Sequence, residues 1–173
     1  SYVYIPSKSR HDKINHAHAY GGPKATIETV EYLLDIPIDY YVKLNFNAFI
    51  EIVDALGGID VEVLYTFSEQ DSHARAGAIT LEEGLQHLNG EEALALARTR
   101  KKDSDFERGK RQLEIIKALI DKAISVGSIS KYGNVIDAVG RNMETDLSFN
   151  HVKSFFNYVT AGPTLDIETL TFE

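Results

Sequence analysis

Apolar side chains recur along this chain at two alternating periods, one typical of helices and the other of strands. In residues 23–34, four apolar side chains recur at spacings of three and four, after a Gly-Gly turn that leaves Pro23 at a first helical position. In residues 59–63, Ile and Val alternate with Asp and Glu, which predicts a strand with one polar face. Interleaved helices and strands of this kind favour an α/β layered sheet over an all-α or all-β domain.

Capping residues and breakers bound the remaining predicted elements. Asn89 with Glu92, and Ser104 with Glu107, each form a capping-box pair that begins a helix. Gly57-Gly58 ends another helix by permitting positive φ. The predicted helices span residues 23–34, about 46–56, 90–100, 104–125, 134–139 and 150–159; the predicted strands span 1–5, 38–46, 59–63 and the residues after Gly162-Pro163, with a loop over 67–77.

Length and composition set the class of protein. With 173 residues, 43% of them hydrophobic and 25% charged, the chain has enough apolar material for one globular domain, which excludes disorder and collagen-like repetition. Cysteine is absent, which excludes disulfides and thiolate chemistry, and no apolar run approaches the ~18–20 residues that span a bilayer. Both ends are β-prone and there is no initiator Met, so we expect a fragment of a domain.

Charge is distributed unevenly along the chain. The net charge of −8 argues against general nucleic-acid coating. Yet residues 98–111 hold seven basic and three acidic side chains, and residues 1–24 hold four basic and one acidic, so 11 of the 18 cations lie in two short segments. Such a concentration is expected of an anion site, although a solvated helix with ordinary ion pairs would also look basic.

The spacing within the basic segment favours the anion site. Arg108, Arg111 and Gln112 lie at i, i+3 and i+4, so they are expected on one side of the first turns of the long helix, where free N–H groups also favour an anion. Arginines there oppose the helix dipole at a cost of about 0.3–1 kcal/mol each, a conflict that suggests function. Arg98 and Arg100 share a face only if the preceding helix has ended and the backbone is extended.

Two further patterns are weaker. His11, His16 and His18 with Asp12 could supply metal ligands, and His16 and His18 would face one way on a strand, but nothing completes a ligand set, which favours structural histidines and no metal site. The apolar stripe of the helix at 46–56 is typical of core, although one wall of a lipid-binding cleft would look the same. The common nucleotide, metalloprotease and esterase motifs are absent.

Five linked motifs carry a resemblance to a known family. They are Asp12–Gly22, Ile36–Val42, Val53–Asp60, Gln86–Gly90, and Ala97–Arg100 followed by Asp105, Arg108, Arg111 and Gln112. In this order they resemble a LytR-CpsA-Psr domain, with the match running from Ser1 to about residue 125. The resemblance implies a three-layer α/β/α sandwich with a central mixed sheet, here a single domain over residues 1–173 whose first strands are missing.

The resemblance also implies a function. Members of the family are extracytoplasmic enzymes, held by one membrane anchor, that move a glycopolymer of teichoic acid or capsule type from an undecaprenyl-pyrophosphate carrier onto peptidoglycan. The implied partners are the polyprenyl-linked glycan, peptidoglycan and the membrane, with no nucleic acid. Two alternatives remain open: a non-enzymatic transcriptional attenuator and a lipid-linked glycan binding module.

Roles for individual residues follow from the resemblance by position. Arg98, Arg100, Asp105 and Arg108 would be catalytic, with the carboxylate orienting an arginine, and Lys13, Arg111 and Gln112 would bind the pyrophosphate. The polyprenyl chain would lie in a cleft lined by apolar helical side chains. Mg²⁺ is the implied cofactor, and its aspartate ligands are expected upstream of Ser1.

Overall fold

Helices and short antiparallel strands alternate along the chain, as the α/β prediction requires. The computed structural model describes residues 2–101, 104–125 and 143–161. The strands are β1 (Tyr2–Ile5), β2 (Arg10–Lys13), β3 (Val42–Leu44), β4 (Ile59–Val63), β5 (Phe67–Glu69), β6 (Ile79–Leu81), β7 (Gly84–Leu88) and β8 (Met143–Thr145). The helices are α1 (Ile14–Leu34), α2 (Phe46–Ala55), α3 (Gly90–Arg98), α4 (Asp105–Ser125) and α5 (Phe149–Ala161). The helix predicted at 134–139 and the last predicted strand lie outside the described residues.

The chain forms two compact units. Unit 1 comprises residues 1–43 and 144–147, and unit 2 comprises residues 44–143 and 148–173. In unit 1, β1 and β2 form an antiparallel hairpin across a short 3₁₀ turn, and α1 packs on β1. Val3, Ile5 and Ala17 form the small core of this unit.

Helix α1 has two parts separated by a glycine pair. Gly22 has φ +63°, a conformation that favours glycine, so the helical backbone is interrupted there and resumes at Pro23. The second part is the helix predicted at 23–34. The first part corrects the expectation that His16 and His18 lie on a strand, because Ile14 to Tyr20 contains no helix breaker and Ala17 packs against the hairpin.

In unit 2, β4 pairs with β7 in antiparallel register, with Ile59 opposite Leu88 and Val63 opposite Gly84. This confirms the predicted strand at 59–63. The loop predicted over 67–77 is partly wrong, because Phe67–Glu69 pairs with β6 as a strand. The strand predicted at 38–46 is shortened to β3, which pairs with β8.

The core of unit 2 is formed by three helices and the strands that α3 and α4 pack against. Helix α3 packs against α2 and α4, and α4 packs against β4. The approach of α3 to α2 is close, since a Cβ added to Gly90 would lie 2.4 Å from the carbonyl oxygen of Ile50. The buried residues of this core are Val53, Ile59, Val61, Val63, Phe67, Ile79, Leu81, Leu88, Ala93, Ala95, Leu96 and Ile115.

Within the described ranges, none of the helices combines the length and apolar character needed to cross a bilayer.

Candidate functional site

Both predicted capping boxes are present. They cap the N-termini of α3 and α4, the two helices that carry the basic residues. Asn89 accepts from the backbone N–H of Glu92, whose carboxylate accepts in return from the N–H of Asn89. Ser104 and Glu107 exchange the equivalent bonds at the start of α4. Helix α3 ends at Arg98, and Thr99 is extended with φ −55° and ψ 141°. The condition for Arg98 and Arg100 to share a face is therefore met.

Side chains from α4 hold the last turn of α3. Arg111 donates from Nε to the carbonyl of Leu96 and from Nη2 to the carbonyl of Thr99, each at 2.8 Å. Gln112 donates from Nε2 to the carbonyl of Ala97 at 3.1 Å. These carbonyls lie at the end of a helix, where backbone acceptors lack partners within the helix. These hydrogen bonds bring residues 96–99 and residues 111–112, which lie at the two ends of the basic segment, into contact.

Arg111 is not placed as the sequence analysis expects. It is only 7% exposed, and its guanidinium donates to two backbone carbonyls. Arg108, Arg111 and Gln112 share one side of α4 by their i, i+3, i+4 spacing, but on that side Arg111 faces the protein whereas Gln112 is exposed. Arg111 therefore lies inside the protein, where it holds the end of α3 through these two hydrogen bonds.

The other arginines of the segment lie at or near the surface. Arg98 is half-buried, with its guanidinium carbon 4.9 Å from the centre of the Phe46 ring, and Arg100 is exposed. Among the described residues, neither Arg98 nor Arg100 is in an ion pair with a carboxylate. Arg108 is half-buried, one turn before Gln112 on α4.

The remaining two predicted site residues lie in different units of the chain. Asp105 is the first residue of α4. Lys13 is exposed at the end of β2 in unit 1, and its backbone N–H donates to Asp12 Oδ1 at 2.8 Å.

Asp12, beside Lys13, is the centre of a polar network that the sequence analysis does not predict. Its carboxylate accepts from the hydroxyl of Tyr20 at 2.5 Å and from Nη2 of Arg10 at 3.2 Å, and it lies 2.9 Å from His16 Nδ1. The Tyr20 hydroxyl, followed by the backbone N–H of Lys13, lowers the pKa of Asp12 to about 2. The network ties β2 to the first part of α1. The i, i+4 spacing of Asp12 and His16 is the one sequence signal for it.

Exposed apolar side chains lie on α4 and beneath Arg98. Phe106, Leu113 and Ile116 lie along one face of α4 and are 45%, 40% and 50% exposed. Phe46, under Arg98, is the exposed end of the apolar stripe of α2, whose Val53 is fully buried. The stripe is therefore core along most of its length and surface at the end nearest the arginines.

A groove of about 840 Å³ lies on another face of α4, against β4. Charged side chains line it, Asp60 and Glu62 from the strand and Glu107, Lys110, Arg111, Glu114, Lys117, Asp121 and Lys122 from the helix, but carbon atoms, including those of Val61, Leu64 and Ala118, form more of its wall than polar atoms do. The groove is only partly like the predicted lipid cleft, because its apolar wall is interrupted by charged side chains.

The described residues offer no metal centre. No group of three His, Asp or Glu side chains among them is placed to hold an ion. The Mg²⁺ that the resemblance implies therefore does not fit the residues that the structure describes.

Fold and site together define an α/β domain in which two helix ends gather arginines beside an apolar surface. The model of the LytR_cpsA_psr family matches residues 1–173. The chain belongs to the LytR-CpsA-Psr family, which confirms the resemblance.

Relatives and solved structures agree with this assignment. The chain is 42% identical over 172 residues to the polyisoprenyl-teichoic acid–peptidoglycan teichoic acid transferase TagT of Bacillus subtilis, covering 99% of this chain and 53% of that protein. It is similar to the crystal structure of B. subtilis TagV, with a TM-score of 0.81, 37% identity and coverage of 92% and 62% of the two chains. For TagT bound to LIIa-WTA the TM-score is 0.78, with 42% identity and coverage of 95% and 61%. The chain spans about half the length of the curated relatives it matches.

Proposed function

We propose that this chain is part of an enzyme that transfers a glycopolymer of teichoic acid type from a polyprenyl-pyrophosphate carrier to peptidoglycan. Relatives that match 99% and 88% of the chain are named as teichoic acid transferases, at 42% identity each. We extend the proposal to residues 1–173 as one LytR-CpsA-Psr domain, to an extracytoplasmic location at the cell envelope, and to a membrane anchor elsewhere in the full-length protein.

The observation that carries the proposal is the joining of the two ends of the basic segment. Because Arg111 and Gln112 bond to the last carbonyls of α3, Arg98 and Arg100 are held beside the first turns of α4, from which Arg108 extends. Guanidinium groups match phosphate oxygens in a two-pronged geometry and keep their charge at any physiological pH. A pyrophosphate at this junction would meet several such groups at once.

The proposed reaction is a phosphoryl transfer. A peptidoglycan hydroxyl attacks the glycopolymer-linked phosphorus, the new oxygen–phosphorus bond gives a phosphodiester, and the anhydride bond to the carrier breaks, so that polyprenyl phosphate leaves. Such transfers need positioning and charge neutralisation more than covalent help. We assign the neutralisation to Arg98, Arg100 and Arg108, an amide contact to Gln112 and the orientation of an arginine to Asp105. We place Lys13 near the head group.

A metal ion would add charge neutralisation of the same kind. We propose that Mg²⁺ takes part with ligands from outside the described residues, since these provide no carboxylate cluster for it. No role assigned above depends on the ion.

The apolar face of α4 is the proposed site for the carrier chain. Leu113 and Ile116 follow Gln112 on α4 by one and four residues, and Phe46 lies under Arg98, so exposed apolar side chains are found on both helices that carry the proposed head-group site. Burying such surface against a polyprenyl chain is favourable by about 25 cal/mol per Å². The charged groove on the other face of α4 has no part in this proposal.

The test is a transfer assay on the full-length protein with a lipid-linked oligosaccharide donor. Arg98→Ala and Arg108→Ala should each lower transfer by about 10² or more, since electrostatic contacts made in the transition state are commonly worth roughly 2.7–4 kcal/mol. Arg98→Lys should rescue little, because lysine keeps the charge but loses the two-pronged geometry. Lys117→Ala, which removes a cation from the opposite face of the same helix, is the matched control and should leave transfer unchanged.

Thermal unfolding of each variant shows whether the fold is kept. If the arginines were only exposed ion pairs, each alanine variant would lose less than about 1 kcal/mol of stability and no activity. Wild-type rates in both variants would exclude the assignment of these residues. Tight binding of the donor by the wild-type protein without turnover would instead favour the glycan-binding module.

A further inference from the structure

We propose that Arg111 is a positioning residue, which sets the direction of the backbone at Arg98, Thr99 and Arg100 and so fixes the placement of both surface arginines. The inference rests on the proposed function, because it concerns how the proposed phosphate-binding groups are held. It assigns to Arg111 a role different from direct contact with the pyrophosphate.

The end of α3 lacks the usual means of satisfying its last carbonyls. Helices commonly end with a glycine in the left-handed conformation, whose N–H bonds back to the last turn. Here the residue after the helix is Thr99, which is extended, and its N–H reaches only the carbonyl of Ala95, at 3.0 Å. The carbonyls of Leu96, Ala97 and Thr99 are satisfied instead by Arg111 and Gln112 from α4.

The guanidinium of Arg111 is a rigid group that bridges the turn carrying Arg98 and Arg100. The guanidinium of Arg111 bonds from Nε to Leu96 and from Nη2 to Thr99, three residues further on, both at 2.8 Å. Because the guanidinium is planar, its two bonds fix the relative position of the two carbonyls. Arg98 lies between those carbonyls and Arg100 directly after them, so the start of each of their side chains is set by Arg111.

Burial keeps Arg111 in this place. Arg111 is 7% exposed, and burying a cation costs free energy unless the cation is hydrogen-bonded. Moving its side chain to the surface would leave the carbonyls of buried Leu96 and Thr99 without these donors. Lysine also has several N–H donors, but they share one nitrogen on a flexible chain, so it does not hold the two carbonyls in the fixed relative geometry that the planar guanidinium imposes.

The experiment is a double-mutant cycle in the full-length protein. Arg111→Lys and Arg111→Met are each made alone and in an Arg98→Ala, Arg100→Ala background, with Lys117→Met as the control for loss of a charge on the same helix. We expect the single Arg111 variants to lower kcat/KM for transfer by about 10- to 100-fold. In the background without the surface arginines, the same changes should cost less than about threefold, because no side chain remains to be positioned.

Direct contact with the pyrophosphate gives a different result. In that case Arg111→Met would lower kcat/KM by the same factor in both backgrounds, and Arg111→Lys, which keeps the charge, would recover part of the loss. Either finding, or full activity in the single variants, would overturn the proposal. So would failure of both Arg111 variants to fold, since the arginine would then serve the fold as a whole.

Amide hydrogen exchange separates this proposal from the proposed function. The N–H of Thr99 is hydrogen-bonded to Ala95 in the wild-type protein, so loosening the turn should speed its exchange at least tenfold in Arg111→Lys but not in Lys117→Met. That change is expected even if the wild-type protein shows no transfer. Unchanged exchange at residues 98–100 would refute the positioning role whatever the enzyme assay shows.

Discussion

At the scale of single residues, His87 shows how partners determine a charge. Its Nδ1 lies 2.7 Å from Asp60 Oδ1 and its Nε2 lies 2.9 Å from the carbonyl oxygen of Gly57. A carbonyl and an ionised carboxylate are both acceptors, so both contacts are hydrogen bonds only when the imidazole is protonated and donates from both nitrogens. The hydrogen bond to Asp60, and then that to Gly57, raise the pKa of His87, while burial and the charge of Lys122 oppose the shift.

We predict that this contact makes stability fall as the solution becomes alkaline. Because the pKa of His87 is higher in the folded than in the unfolded chain, its contribution is complete below the unfolded value of about 6.5 and is lost as pH rises through the folded pKa. His87→Gln should therefore reduce the fall in melting temperature between about pH 6.5 and pH 9. Thermal unfolding across that range is the measurement, with His73→Gln at another exposed histidine as the control. Parallel pH profiles for His87→Gln and the wild type would contradict the prediction.

At the scale of elements, the packing of α3 on α2 depends on a residue without a side chain. Gly90 opens α3, and its N–H donates to Asp54 Oδ1 at 2.7 Å, which ties the start of α3 to the end of α2. A Cβ at this position would lie 2.4 Å from the carbonyl oxygen of Ile50 and 2.7 Å from its Cα. The neighbouring atoms belong to a helix backbone, which cannot move aside without disturbing the core.

Gly90→Ala should therefore destabilise the protein by about 1–3 kcal/mol, as expected of overpacking. Gly109→Ala is the matched control: this glycine lies within α4, and no heavy atom lies within 4 Å of a Cβ placed there. Alanine should stabilise that position by roughly 0.5–1 kcal/mol, because it restricts the unfolded chain and favours the helix. Denaturant unfolding of both variants provides the comparison, and an equal effect of the two substitutions would show that the contact at Gly90 is relieved at no cost.

At the scale of the whole molecule, unit 2 carries both arginines and exposed apolar side chains on its helices. The chain carries a net charge of −8, yet arginines lie at the end of α3 and the start of α4, Arg98 lies over exposed Phe46, and α4 also exposes Leu113 and Ile116. A surface with a cationic end and an apolar extension suits an amphiphile with an anionic head. Under the proposed function, we expect this arrangement to favour a lipid-linked donor over a soluble phosphate ester.

We expect the length of the lipid to decide how much the apolar face matters. Ile116→Asn should weaken binding of a long-chain polyprenyl pyrophosphate by about tenfold, or ~1.4 kcal/mol, since one large side chain then contributes less apolar contact. Binding of farnesyl pyrophosphate should change much less, because a short chain reaches less of the helix. Leu85→Asn, at a 73% exposed position on β7, is the control. Equal losses for the long and the short lipid would place the chain elsewhere.

Local sequence determined the elements whose signals lie within a few residues. Both capping boxes, the strand at 59–63 and the glycines that end α2, with φ +80° and +88°, follow from contacts between near neighbours in the chain. Membership of the family was also evident from the order of its motifs. The prediction of an α/β fold needed only the alternation of helical and strand periods.

Only the tertiary structure decided which partners these elements meet. The pairing of Phe67–Glu69 with Ile79–Leu81 depends on a contact across a loop, which no local signal specifies. His16 and His18 lie in a helix because the first part of α1 packs on a hairpin that is formed elsewhere. The role of Arg111 is the clearest case: its spacing from Arg108 and Gln112 is a property of the sequence, but the carbonyls it meets belong to another helix. Helical periodicity fixes which residues share a side of a helix, whereas the packing of neighbouring elements determines which of them face solvent.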